Sequence, residues 1–233
     1  MNKPVSKVEW FDTYGYKFEF TGMQLAQLTY IPKLTDKGFE KFKVPEKIFK
    51  DVLDAYNVEK QNFKPEPQGV HLNMIDNYLP DKQSSYVTSN DYFLQWILEK
   101  MKQHHEDWCK FPLTGSQSYG FRKYVTGAYL YPHADRYKTH IISSIINVEQ
   151  KVDEPWPLEI MGYDNKIHKT YLEPGEMLFY ESAKLLHGRT SYLKGDYYVN
   201  LFLHYRPATW EVIEIHNEKD WIEFNKLNTG KNE

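Results

Sequence analysis

The chain has 233 residues, a formal net charge of −3 and no block of lysine and arginine, which counts against strong electrostatic binding to nucleic acid. Its single cysteine, Cys109, excludes an intrachain disulfide, and no apolar run reaches the length needed to cross a bilayer. With no apolar segment after Met1-Asn2-Lys3, the expected setting is a reducing cytoplasm, and the length suits one domain around a large β-core.

Residues 1–43 mix short candidate strands, Tyr16–Phe20 and Gln27–Tyr30, with turns. Pro45 then opens an amphipathic helix over Glu46–Tyr56, whose Ile48, Phe49, Val52, Leu53 and Tyr56 fall on one stripe. Residues 57–69 are polar and contain prolines, as a loop would. A second helix is capped by Ser89 or Asn90 and carries Phe93, Trp96, Ile97 and Met101 at helical spacing. Its end, His104-His105-Glu106-Asp107-Trp108-Cys109, is a rival metal site. Adjacent residues on a helix diverge by about 100° and no H-E-x-x-H spacing is present, so a solvated helix face is expected there.

Tyr124–His133 has the pattern of one strand, with Pro132 holding the residue before it extended. Thr139–Val148 follows as a β-branched run in which Ser143 and Ser144 sit among isoleucines. Residues 149–157 break the pattern, either as a loop bearing substrate contacts or as a plain connection with Trp156 packed down upon it. Glu173-Pro174-Gly175-Glu176 is a turn before the apolar strand Met177–Tyr180, and Leu193-Lys194-Gly195-Asp196 turns into Tyr197–Tyr205. In that last strand Tyr197, Val199, Leu201, Leu203 and Tyr205 share one face, and Tyr198, Asn200, Phe202 and His204 the other. Trp221, Ile222 and Phe224 mark a short helix, and residues 225–233 are expected to fray. Short strands bounded by Gly and Pro turns argue for a jelly-roll barrel.

His133 and Asp135 point the same way from a strand because side chains alternate with a period of two, and His187 can complete a three-ligand set. Two imidazoles and a carboxylate on one face of an octahedral ion leave the opposite positions open, the arrangement expected of non-haem Fe(II) oxygenases. His204 is a rival for the distal position, but the Pro174-Gly175 turn fits His187 better.

Tyr124, Gly127, the His133–Asp135 pair, Pro174-Gly175 before an apolar strand and the His187-Gly188 segment occur here in that order. In these motifs, over about residues 117–207, the chain resembles the 2-oxoglutarate- and Fe(II)-dependent dioxygenases, most closely the prolyl 4-hydroxylase-like branch. The resemblance implies a mainly β protein with flanking helices, built on a double-stranded β-helix (jelly-roll) barrel. It implies a single catalytic domain over 1–233, with strands and buttressing helices in 1–116, the core in 117–207 and a C-terminal extension in 208–233. It further implies Fe(II) held by His133, Asp135 and His187, with 2-oxoglutarate and O2 as cosubstrates and Tyr124 hydrogen-bonding the former. Succinate and CO2 would leave as a C–H bond is hydroxylated in a prolyl residue of a polypeptide or in a free amino acid.

That family places a lysine or arginine about ten residues after the distal histidine, to pair with the remote carboxylate of 2-oxoglutarate. The corresponding residue here is Tyr197, which would contact the cosubstrate without a charge. Arg189 is the expected cation because a guanidinium grips a carboxylate bidentately, with Arg122, Arg136 and Lys138 as alternatives. Ser144 or its neighbour Ser143 would add a neutral donor. A nucleic-acid demethylase of the same superfamily and a non-catalytic metal-binding jelly roll are the competing readings, and the acidic balance counts against the first.

Overall fold

The protein is described by a computed structural model covering residues 25–66, 75–77 and 84–229. In chain order the elements are β1 (Phe39–Lys43), α1 (Glu46–Glu59), β2 (Lys64–Pro65), β3 (Ile75–Asn77), β4 (Ser85–Thr88), α2 (Asp91–Cys109), β5 (Leu113–Val125) and β6 (Ala128–His133). They continue with β7 (Ile142–Val152), β8 (Leu158–Met161), β9 (Ile167–Thr170), β10 (Glu176–Tyr180), β11 (His187–Arg189), β12 (Gly195–Pro207) and α3 (Glu218–Asn228).

The strands form a seven-stranded sheet in the order β1-β10-β7-β12-β5-β4-β2 and a five-stranded sheet in the order β3-β6-β11-β8-β9. Every pairing is antiparallel. The inner faces meet in one apolar cluster that joins Tyr124, Ile145, Leu178, Tyr198 and Phe202 of the large sheet to Ala128, Leu158 and Ile160 of the small one. This is the double-stranded β-helix, or jelly roll.

The outer face of the large sheet is as apolar as the inner one, because the helices cover it. Val52 and Tyr56 of α1 and Leu94, Ile97 and Met101 of α2 pack there against Phe121, Ile142, Ile146, Val199, Leu201 and Leu203. Trp221 and Phe224 of α3 join the same cluster. The cap of α2 is Asn90, whose side chain accepts the Phe93 amide at 3.1 Å. Among the described residues no helix is long and apolar enough to cross a membrane.

Several sequence expectations change in the structure: α1 runs on to Glu59 and β2 forms inside the expected loop, and β7 continues to Val152. Residues 124–133 do not form one strand: the chain turns at Thr126-Gly127, where Gly127 takes φ +82, and passes from the large sheet to the small one. Residues 25–30, which include the expected strand Gln27–Tyr30, are helical, with Ile31 N–H donating to Gln27 O at 2.9 Å. The final helix runs on to Asn228, whose amide donates to Glu211 O and Phe224 O, so the expected fraying does not begin at 225. The candidate strand Tyr16–Phe20 lies outside the described residues.

Candidate metal centre

His133 closes β6, His187 opens β11, and the two are direct cross-strand partners with ring centroids 4.4 Å apart. Gly188 allows this approach, since a Cβ there would sit 2.8 Å from Leu130 O and 2.9 Å from Pro132 N. Each imidazole donates Nδ1–H to the carbonyl two residues earlier, His133 to Tyr131 O and His187 to Leu185 O, both at 2.8 Å. The Nε2 lone pairs are thereby left free for a metal. Asp135, just past β6, presents Oδ1 at 3.6 Å from His133 Nε2 and 3.9 Å from His187 Nε2.

The three ligand atoms lie within 4.8 Å of one another, and no other such cluster occurs among the described residues. Burial pushes both histidines down to about 4, with His187 adding to the shift of His133, so both are neutral imidazoles at physiological pH. The Asp135 backbone is clamped on both sides: its N–H donates to Ser182 O at 2.9 Å, and its carbonyl accepts Gln27 Nε2 at 2.6 Å. The same Gln27 amide donates to Ala183 O at 2.9 Å. The helical segment at 25–30 thus braces both the aspartate and the turn leading to His187.

Arg189 leaves β11 two residues beyond His187, and only 1% of it is exposed. Its guanidinium lies over the rings of Trp156 at 4.4 Å and Tyr198 at 4.6 Å, and Nη1 donates to Trp156 O. Nη2 is buried without a partner. Tyr124 packs its ring edge-on to Trp156 and is kept protonated by burial. On the inner face of β12, both side-chain atoms of buried Asn200 also lack partners. Arg189 Nη2 and the Asn200 amide are thus left able to meet a further polar group.

The other candidates are placed elsewhere. Tyr197 faces outward toward α1, with Lys123 Nζ over its ring at 4.9 Å, and Ser144 lies on the same helix-covered face as Phe179 and Leu203. Neither is brought to the metal site. The inward residues beside them are Tyr198, which meets Arg189, and Ser143, which bonds His204. Arg122 faces inward but is paired with Glu66 through Nε at 2.9 Å and Nη2 at 2.6 Å. Lys138 pairs with Glu214, and Arg136 is exposed. The His104–Cys109 cluster is no metal site, yet it is not simply solvated. His105 is fully buried between Phe179 and Tyr205.

Sequence reasoning missed Asn200, although an amide on a strand face otherwise made of Tyr198, Phe202 and His204 was the available signal. Trp156 was left between two roles. It is packed down, 3% exposed, with its ring against Tyr124, Tyr198 and the Arg189 guanidinium.

No protein-family model and no curated protein sequence matches the chain. Solved structures do. A prolyl-4-hydroxylase from Pseudomonas putida aligns at TM-score 0.53 and 14% identity, over 78% of this chain and 98% of that one. HygX from Streptomyces hygroscopicus, with nickel, 2-oxoglutarate and hygromycin B bound, aligns at 0.51 and 10% identity, over 85% and 98%. A prolyl hydroxylase from Trichoplax adhaerens, in complex with a hypoxia inducible factor peptide fragment, aligns at 0.52 and 11% identity, over 81% and 93%. The fold is the one these oxygenases share.

Proposed function

We propose that the protein is an Fe(II)- and 2-oxoglutarate-dependent dioxygenase that hydroxylates a C–H bond of a free amino acid or of a prolyl residue in a polypeptide. Per turnover, one oxygen atom of O2 turns the substrate C–H into C–OH and the other enters succinate, as 2-oxoglutarate loses its C1 carboxylate as CO2. The observation that carries the reading is the convergence of two neutral imidazole nitrogens and a carboxylate oxygen within 4.8 Å, with His187 on the same short strand as a buried arginine whose Nη2 has no partner. The neighbouring structures that hold 2-oxoglutarate with a metal support it by fold.

The donor set suits Fe(II), which when bound supplies the redox chemistry that activates O2. His133, Asp135 and His187 would hold the ion on one face. Arg189 would pair with the remote carboxylate of 2-oxoglutarate, since burying a dicarboxylate without a cation is costly and Arg122 is already paired with Glu66. Tyr124 and Asn200 would add neutral hydrogen bonds, and the rings of Trp156 and Tyr198 would keep water from the guanidinium. Succinate formation dependent on Fe(II), O2 and 2-oxoglutarate tests the reading. Its absence from folded, metal-loaded protein would leave a binding module in its place.

A further inference from the structure

Inside the barrel beside the metal site lies a second histidine pair. His140 and His204 stack with ring centroids 3.7 Å apart, and Tyr119 meets His204 edge-on and His140 through its hydroxyl at 2.9 Å. His204 stands on the inner face of β12 opposite Ser143, which is opposite Tyr180 on β10. The Tyr180 ring sits edge-on to His187 at 4.9 Å. His204 is not within reach of the three ligand atoms, so it is not a fourth ligand.

Counting protons fixes which nitrogen of His204 carries hydrogen. The Ser182 hydroxyl lies 2.8 Å from His140 O, and a carbonyl oxygen only accepts, so Ser182 spends its single proton there. Ser143 Oγ lies 2.6 Å from Ser182 Oγ and must therefore donate to it. With its own proton committed, Ser143 accepts from His204 Nδ1 at 2.7 Å. His204 is consequently the Nδ1–H tautomer, and Nε2 bears a lone pair with no partner among the described residues. Burial, together with His140, Arg122 and His187 nearby, holds the ring neutral. The Ser182 carbonyl accepts the Asp135 amide, which anchors this relay to the metal-bearing loop.

We propose that His204 Nε2 is the acceptor that selects the primary substrate, and that the substrate is a free amino acid whose amino group donates to it. The choice deepens the oxygenase reading and rests on it. An internal prolyl residue is the poorer fit, because its acylated ring nitrogen has no hydrogen to give.

The first test needs no turnover. Long-range proton–nitrogen NMR of the metal-free protein, assigned with His204→Phe, should show Nδ1 protonated and Nε2 bare; the opposite tautomer overturns the proposal. The second measures succinate release with Fe(II) and 2-oxoglutarate, using the free protein-forming L-amino acids as probes, each beside its N-acetyl derivative. At least one free amino acid should stimulate release and its acetylated form should not. His204→Phe should raise the KM for that amino acid by tenfold or more, and His204→Gln, whose amide oxygen can accept, should recover part of the loss. Stimulation by acetylated probes alone, or by no free amino acid, overturns the substrate assignment. Failure of the oxygenase reading itself shows separately, as wild-type protein that releases no succinate with or without probe.

Discussion

Two pairs of buried histidines lie in one barrel, His133 with His187 and His140 with His204, and only the first meets a carboxylate in a cluster that could hold a metal. Both are neutral and in close contact, so neither proximity nor charge state separates them. The partner of each ring does. In the first pair both Nδ1 atoms donate to backbone carbonyls and a carboxylate joins the two freed Nε2 atoms. In the second, His140 is held through both nitrogens, by Thr139 Oγ1 at 2.6 Å and the Tyr119 hydroxyl at 2.9 Å. Its rings stack with an interplanar angle of 28°, and no carboxylate joins them. Metal competence here is a property of what holds each ring.

The strongest way to break the comparison is to remove one ligand. His133→Ala or His187→Ala should eliminate Fe(II) binding and metal-dependent 2-oxoglutarate turnover, whereas His140→Phe should bind metal as the wild type does. Titration with Fe(II) under anaerobic conditions measures all three, and loss of binding in His140→Phe would show that the two pairs form a single site.

A second cut separates the two inward arginines. Arg189→Ala should raise the 2-oxoglutarate requirement by one to two orders of magnitude, from the loss of a charge-assisted hydrogen bond of about 1.5–3 kcal/mol, while Fe(II) binding stays nearly constant. Arg189→Lys should recover only part, because an ammonium lacks the fork. Arg122→Ala should shift the same titration less, since Glu66 already engages that guanidinium. A larger effect at Arg122 would reverse the assignment.

The third prediction concerns acid. His105 is pushed down to about 3, chiefly by burial, and its Nε2 has no partner, while an unfolded histidine titrates near 6.5. Between these values the unfolded chain binds a proton that the native one refuses, so stability falls as pH drops below about 6.5. Urea unfolding of metal-free protein at about pH 7.5 and about pH 5 should show this loss, and His105→Phe should reduce it by about 1–2 kcal/mol. An unchanged loss would exclude His105 as a source.

The smallest effect is expected at Cys109. Burial raises its thiol to about 12, so alkylating reagents should modify it only on unfolding, and Cys109→Ser should retain Fe(II)-dependent turnover. Rapid modification of the native protein would contradict the burial.

The alternation of β12 was legible because it depends only on a period of two, and the three converging residues because the His133-Ala134-Asp135 triplet and the Pro174-Gly175 turn before His187 are local signals. Which face of β12 points inward was not, since the strand is covered by helices on one side and by the other sheet on the other, and both faces are apolar. Counting ten residues from His187 therefore gave Tyr197, whereas the inward neighbour is Tyr198. Ser144 failed by the same one-residue parity, with Ser143 facing the barrel. The turn at Thr126-Gly127 was hidden by the β-propensity of its flanks. The Glu66–Arg122 pair joins residues 56 positions apart, beyond any local pattern.

His187 and Arg189 leave one short strand on the same side, so the ion-binding nitrogen and the guanidinium are spaced by peptide geometry, at about 6.6 Å between their Cα atoms. Side-chain motion adjusts that interval little, because His187 is tied to Leu185 O and Arg189 to Trp156 O. On the proposed chemistry β11 is a molecular ruler: it measures an acid chelated at one end and clasped at the other. Shortening the acid by one methylene, as in oxaloacetate, or lengthening it, as in 2-oxoadipate, should leave one end unmet.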